Sequence, residues 1–369
     1  MLRGKHLLAC VLLTLSACGG GGSDGGSDDP PGGPPTQGNR ILGLDVKEVP
    51  SVTYAAAYGE AVALGVREVS VSLDWVGLEP TVGNYDDTLP GLIEAFYPTQ
   101  SAYLTLVLRP LDTAGPRLPA DLVGRSFDDP AVITAFENFL THLHGQLTNM
   151  NASGRLRWIH VGNEIDSDLG SDNAKWTQWQ TFFSAAKTRI ESLWGVGIEV
   201  SSIVQFGGLK NPAVLARYNN LLPLLDAAAV TYYPLNNDLT MRPTTEVAAD
   251  FNYIVSTIGG KQILLQECGY ASSTVNLSSE ASQADFISAV FAAWDTHRAR
   301  IDLIDFAWQY DVSEATADQW VIDYGMSGQP NQNEFKHYLW SLGLHNHDST
   351  EKLAWQRWRN ELVARDWIK

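Results

Sequence analysis

Eight short apolar runs alternate with helix-like stretches between residues 41 and 308, and no other feature constrains the fold as much. The runs are Ile41–Val46, Glu68–Leu73, Tyr103–Leu108, Arg157–Val161, Ile198–Val204, Ala228–Tyr233, Gln262–Gln266 and Asp302–Trp308. Helix-like stretches include Ser51–Leu64, Pro130 to about Leu147, Trp176–Leu193, Pro212–Leu225, Thr244–Ile258 and Ser279–His297, with Glu334–Leu342 after the last run. Asp129-Pro130 marks a helix start, because proline in the first turn removes an N–H that has no partner there anyway. Short apolar strands separated by helices imply a parallel sheet with crossovers. Eight such units favour a closed (β/α)8 TIM barrel over an open doubly wound sheet. The open sheet would need a glycine-rich phosphate turn after its first strand. This chain has Asp45-Val46-Lys47-Glu48 there.

The balance of charge narrows the partner. The 369 residues carry 25 Lys+Arg against 42 Asp+Glu, a net −17. Nucleic acid is excluded as an expected partner, since phosphate neutralisation needs a dense basic face. With 44% apolar and 18% charged residues, a large core is within reach. Twelve Trp and thirteen Tyr suit the faces of neutral sugars.

The first 38 residues read as an address and a tether. Arg3 and Lys5 precede an apolar run from His6 to Leu15, too short to span a bilayer but long enough for a signal-peptide core. Leu15-Ser16-Ala17-Cys18 resembles a bacterial lipobox. That likeness implies a signal peptide over 1–17 and lipidation at Cys18. Gly19 at the next position implies the outer membrane of a bacterial envelope. Residues 18–38, rich in Gly, Ser, Asp and Pro, cannot pack and read as a flexible tether. Residues 39–369 remain as one domain, expected to act as a monomer held to the membrane only through its N-terminal lipid. Cys10 leaves with the signal and Cys18 carries lipid, so Cys268 has no partner for an intrachain disulfide.

In such barrels reactive residues lie at the C-terminal ends of strands. Those ends carry Asp74-Trp75, Arg109, Asn163-Glu164, Tyr232-Tyr233-Pro234, Glu267 and Trp308. Two carboxyls across a barrel mouth form the apparatus for glycosidic cleavage. One donates a proton to the leaving oxygen, and the other attacks the anomeric carbon or activates water. Like charges in proximity also raise the pKa of one member, so an acid and a base coexist near neutral pH.

The same segments resemble clan A glycoside hydrolases. Trp158-Ile159-His160-Val161-Gly162-Asn163-Glu164-Ile165 is similar to the clan's strand-four acid/base motif, and Ile263-Leu264-Leu265-Gln266-Glu267-Cys268-Gly269-Tyr270 to its strand-seven nucleophile segment. Thr231-Tyr232-Tyr233-Pro234 resembles the strand-six motif whose phenol holds the nucleophile. Asp74-Trp75-Val76-Gly77-Leu78-Glu79-Pro80 resembles a common strand-two segment, and Leu342-Gly343-Leu344 with Lys352-Leu353-Ala354-Trp355 a frequent ending. Within the clan, Val-Gly-Asn-Glu-Ile and Tyr-Tyr-Pro point to endo-β-1,4-galactanases. The strand-two segment points to cellulase-like and β-galactosidase-like members, so the family stays open.

The resemblance implies a retaining glycosidase with Glu164 as acid/base and Glu267 as nucleophile. Asn163 would bind the 2-hydroxyl of the reacting sugar, Tyr233 or Tyr232 would hold the nucleophile, and Trp308 would floor the subsite. Trp75 and Trp320 are further sugar platforms, whereas Trp176 and Trp179 read as packing residues. Ser70 stands where many members have an arginine. Arg109 either replaces it or forms an ion pair on the rim. His160 reads as a hydrogen-bonded interior residue and Cys268 as a small core residue. No cofactor is expected. His345, His347 and Asp348 lie together with no further ligand cluster to support a metal, so none is expected. Two other activities use the same scaffold: a non-catalytic glycan binder, and a transglycosylase with a sugar acceptor in place of water.

Overall fold

The computed structural model describes residues 36–368. The signal segment, Cys18 and most of the tether lie outside the described residues. Strands β1 (Ile41–Leu44), β2 (Glu68–Asp74), β3 (Tyr103–Arg109), β4 (Leu156–Val161), β6 (Ala228–Tyr232), β7 (Ile263–Cys268) and β8 (Ile301–Phe306) fall where the alternation places them. Strand β5 is split into Glu199–Ser201 and Ile203–Gln205.

All pairings in this sheet are parallel. β1 pairs with both β8 and β2, and β2 runs beside β3 from Glu68↔Tyr103 to Asp74↔Arg109. Closure occurs at the break in β5. Its first piece pairs with β4 and its second with β6. The nine hydrogen-bonded segments are therefore eight barrel strands, one of them in two pieces. Ser202 bridges the break: its hydroxyl donates to the Val161 carbonyl and accepts the Trp179 indole N–H at 3.2 Å. The chain is a (β/α)8 barrel.

Helices α1 (Tyr54–Ala63), α2 (Thr88–Phe96), α3 (Pro130–Gln146), α4 (Asn173–Trp194), α5 (Pro212–Leu221), α6 (Val247–Ile258) and α7 (Glu280–Thr296) cover the barrel. The α3 start is capped as its sequence dictates, with Asp129 accepting the Ala131 N–H at 2.8 Å ahead of Pro130. The end of the chain departs from the sequence reading. Three helices follow β8: α8 (Glu314–Asp323), α9 (Gln332–Trp340) and α10 (Leu353–Ala364). It is α10 that packs on α7 and completes the outer ring, pinned by Arg365 to Asp295 at 2.7 Å. The expected helix Glu334–Leu342 corresponds to α9, which with α8 forms an insert over the barrel mouth. Helical periodicity marks both equally; only the location of the apolar surface they cover separates them.

The barrel interior is layered. Ile41, Trp158, Leu264 and Leu303 plug the N-terminal end. Above them sits a polar layer containing Glu68, Thr105, His160, Gln266 and Asp305, all buried. The mouth opens above it.

Candidate active site

The alternation of strand residues decides which side chains reach the mouth, and two irregularities change the outcome. On β6, Thr231 and Tyr233 point inward. Tyr232 points outward, fully buried, and donates its hydroxyl to Asp250 at 3.0 Å. Of the two tyrosines, only Tyr233 reaches the pocket. On β7 the pairing with β6 shifts register between Leu265 and Glu267. A bulge of this kind re-aims the next side chain, and both Gln266 and Glu267 consequently line the pocket while Cys268 is buried behind. Gly269 gives Tyr233 its position, since a Cβ there would lie 2.7 Å from the Tyr233 ring.

Glu164 is placed by an unusual turn. Gly162 has φ +83°, and a Cβ there would lie 2.5 Å from Ile165 and 2.6 Å from Trp179. Glu164 itself has φ 47°, a left-handed conformation that a non-glycine residue adopts at a cost of about 1–3 kcal/mol. The chain recovers through backbone bonds to β5: Ile203 N–H to the Gly162 carbonyl at 3.2 Å, and Ile165 N–H to the Ile203 carbonyl at 3.1 Å. Trp179, a packing residue, thus supports the turn that bears Glu164.

Both carboxyls face one cavity of about 1090 Å³. Glu164 accepts three hydrogen bonds, from Thr231 at 2.6 Å, Thr113 at 2.7 Å and Gln205 at 2.8 Å. Glu267 accepts one, from the Tyr233 hydroxyl at 2.8 Å. Burial raises both carboxyls above the usual range. The three donors oppose this at Glu164 by stabilising its anion. At Glu267, burial and then the charge of Glu164 push the group up to about 8.

Asn163 donates to Asp112 Oδ1 at 3.1 Å and leaves its own Oδ1 without a protein partner among the described residues. Trp308 and Trp320 line the cavity with ring centroids 5.3 Å apart. Arg109 also lines it, paired with Asp74 at 2.8 Å and more loosely with Asp112 at 3.8 Å. It is thus a rim ion pair and makes no hydrogen bond to Glu267. Ser70 donates to Asp305 at 3.0 Å in the polar layer. His160 bonds Gln266 at 2.8 Å inside the barrel, and burial lowers it to about 4.

Trp75 is a correction. It is fully buried, donates its indole N–H to Glu79 at 2.6 Å and packs edge-on against Phe136. A tryptophan opening a helical turn at a strand end faces the helix layer here, so it is no sugar platform. His345 likewise is buried between Tyr310 and Trp355.

No protein-family model matches the sequence, and no curated protein matches it. Its neighbours in fold are clan A glycoside hydrolases. A GH5_18 protein from Streptomyces cattleya, solved with GlcNAc, superimposes with a TM-score of 0.67 at 17% identity, over 89% of this chain and 80% of that one. An exo-β-1,4-mannosidase from Opitutaceae bacterium strain TAV5 gives 0.63 at 15% identity, over 88% and 59%. Xylanase10C from Cellvibrio japonicus with xylopentaose gives 0.59 at 14% identity, over 89% and 68%. At these identities the likeness establishes the shared barrel.

Several residues around the carboxyls escaped the sequence reading. Gln205 ends β5 and Thr231 faces inward on β6, so inspection of every strand end would have found both. Thr113 lies in a small hairpin between Leu111–Asp112 and Gly115–Pro116, which carries no such signal. Asp166 accepts the Gln205 backbone N–H at 2.9 Å and so supports the strand end that carries a donor to Glu164.

Proposed function

We propose that this protein is a retaining glycosidase acting on neutral, β-linked poly- or oligosaccharide. One observation carries the reading: Glu164, buried, and Glu267, half-buried, at the ends of β4 and β7, line the same cavity, and each is held by hydroxyl donors of its own, Thr231 and Thr113 for Glu164 and Tyr233 for Glu267. Fold alone never settles function, but sugar-bound neighbours such as those with GlcNAc and xylopentaose support a carbohydrate ligand.

The chemistry follows from the pair. Glu164 protonates the leaving glycosidic oxygen as Glu267 attacks the anomeric carbon, forming a glycosyl–enzyme ester. Glu164 then takes a proton from the incoming water, which cleaves the ester. Positive charge developing at the anomeric carbon stabilises an ionised Glu267, and the basic leaving oxygen draws the proton through Glu164. Asn163 Oδ1 accepts from the 2-hydroxyl of the reacting sugar, a contact that strengthens in the transition state. Trp308 and Trp320 supply apolar faces for stacking.

Neutrality of the substrate is supported by the pairing of the cations around the mouth. Lys47 lies 3.0 Å from Asp45, Arg117 is 3.7 Å from Asp112, and Arg242 is 2.8 Å from Asp250. The N-terminal sequence adds a proposed lipid anchor at Cys18 that would hold the enzyme at the cell envelope.

Carboxyl replacement tests the roles. Glu267→Ala should abolish turnover and regain it with azide, yielding a glycosyl azide of opposite anomeric configuration. Glu164→Ala should spare substrates whose leaving groups need no proton. Steady-state kinetics on aryl glycosides and on galactan, mannan, xylan and β-glucan reads both. If either variant keeps more than a tenth of wild-type kcat/KM on polysaccharide, about 1.4 kcal/mol of barrier, the roles are wrong.

A further inference from the structure

Two phenols that face the cavity have no hydrogen-bond partner among the described residues, and both belong to the insert between β8 and α10. We propose that the α8–α9 insert is a substrate-recognition element, in which Tyr338 and Tyr324 donate hydrogen bonds to hydroxyls of the sugar held at Glu164 and Glu267. The inference rests on the sugar-site reading and deepens it.

A buried tyrosine hydroxyl ordinarily finds an acceptor, because leaving it unpaired is costly. Four other tyrosines do so, although the buried Tyr218 hydroxyl has no partner among the described residues. Tyr233 bonds Glu267, Tyr232 bonds Asp250, Tyr253 bonds the Leu209 carbonyl and Tyr270 the Arg242 carbonyl. Tyr338 is only 8% exposed and lines the cavity. Its ring stands edge-on to that of Tyr233 at 5.7 Å between centroids and 88°, so the residue that holds Glu267 also orients Tyr338. The charges of both Glu164 and Glu267 reach its hydroxyl, and burial with those charges keeps the phenol protonated. It is a donor at working pH, close to both carboxyls and hydrogen-bonded to neither. Tyr324 lines the same cavity, within the fields of Arg109 and Asp112 as well as those of the two glutamates.

The insert is built to hold these groups still. Lys336 of α9 pairs with Glu314 at 2.9 Å and Asp318 at 2.6 Å on α8, locking the two helices together. The Asn276 amide donates to the Glu334 carbonyl at 2.9 Å and to the Leu239 carbonyl at 2.8 Å, tying α9 to the loops after β6 and β7. The insert is therefore anchored on the β6–β7 side of the mouth. Donors fixed in this way lose little entropy on binding, which is where preorganised sites gain affinity.

Tyr338→Phe and Tyr324→Phe test this, each made in the otherwise unaltered protein and again with Glu267→Gln to stop turnover. Binding is read by tryptophan fluorescence with the tetraoses of β-1,4-linked mannan, galactan, xylan and glucan. Each Phe variant should bind the preferred tetraose at least fivefold more weakly and lower kcat/KM at least tenfold, with the unfolding midpoint unchanged. A change below fivefold in binding for both variants overturns the assignment, as does failure of all four tetraoses to bind the Glu267→Gln parent. If the wild type binds a tetraose but cleaves nothing, the hydrolase reading falls. The binding comparison still decides the two phenols.

Discussion

At the residue scale the two cavity carboxyls differ in how their charge is stabilised, and under the proposed mechanism that difference sets the pH response. The pair titrates as a unit. The proposed mechanism needs it singly protonated, so activity should fall on the acid side when both are protonated and on the alkaline side when the last proton leaves. Glu267 lies at about 8, which places the alkaline limb near that pH. Thr231→Val keeps the shape of the side chain but removes the 2.6 Å donor to Glu164. Losing a hydrogen bond to the charged form raises a carboxyl pKa. The acid limb of the kcat/KM profile should therefore move up by roughly half to one pH unit, the equivalent of about 1 kcal/mol, while the alkaline limb set by Glu267 stays in place. An acid limb that stays in place or moves down would show that Thr231 does not stabilise the Glu164 anion.

At the element scale the site depends on three departures from regular strands: the turn after β4, the break in β5 and the bulge in β7. Gly162→Ala should be costly, because it combines a positive φ with a Cβ 2.6 Å from the Trp179 ring. Strain and overpacking together suggest a loss of about 2–4 kcal/mol, read as a lower denaturation midpoint. These departures also mark the limit of what the sequence discloses. Alternating apolar runs were enough to place all eight strands, and the strand-end rule pointed to Glu164, Glu267, Asn163 and Trp308, all of which line the cavity. Period-two alternation could not choose between Tyr232 and Tyr233, because no local residue type announces the register. It also could not foresee that the bulge turns Glu267 inward beside Gln266. The helix pair over the mouth has the same periodicity as an outer-ring helix, so Tyr324 and Tyr338 gave no signal. Trp75 misled for a related reason: a strand end faces both the mouth and the helix layer, and its indole packs against the latter.

At the scale of the whole molecule, burying acids has a consequence for stability. Burial is the main cause raising Glu68 and Asp166, each to about 7, as it is for Glu267 at about 8. In the unfolded chain these groups ionise near 4. Between about pH 4.5 and 8 the folded protein thus binds more protons than the unfolded one, and stability falls as pH rises. The buried histidine acts with the opposite sign over a different range. His160, lowered to about 4, makes the unfolded chain the better proton binder between about 4 and 6.5, so its contribution grows with pH there and then levels off. Above pH 6.5 the carboxyls act unopposed by it, at up to roughly 1.4 kcal/mol per group for each pH unit below its folded pKa. The unfolding midpoint should accordingly drop between pH 6.5 and 8. Glu68→Gln tests the cause without touching the carboxyls of the mouth. Glu68 accepts the Thr105 hydroxyl at 2.5 Å in the polar layer, and a glutamine carbonyl can accept the same bond without a charge to bury. The variant should flatten the decline below about pH 7, and a slope there as steep as wild type would place its origin elsewhere.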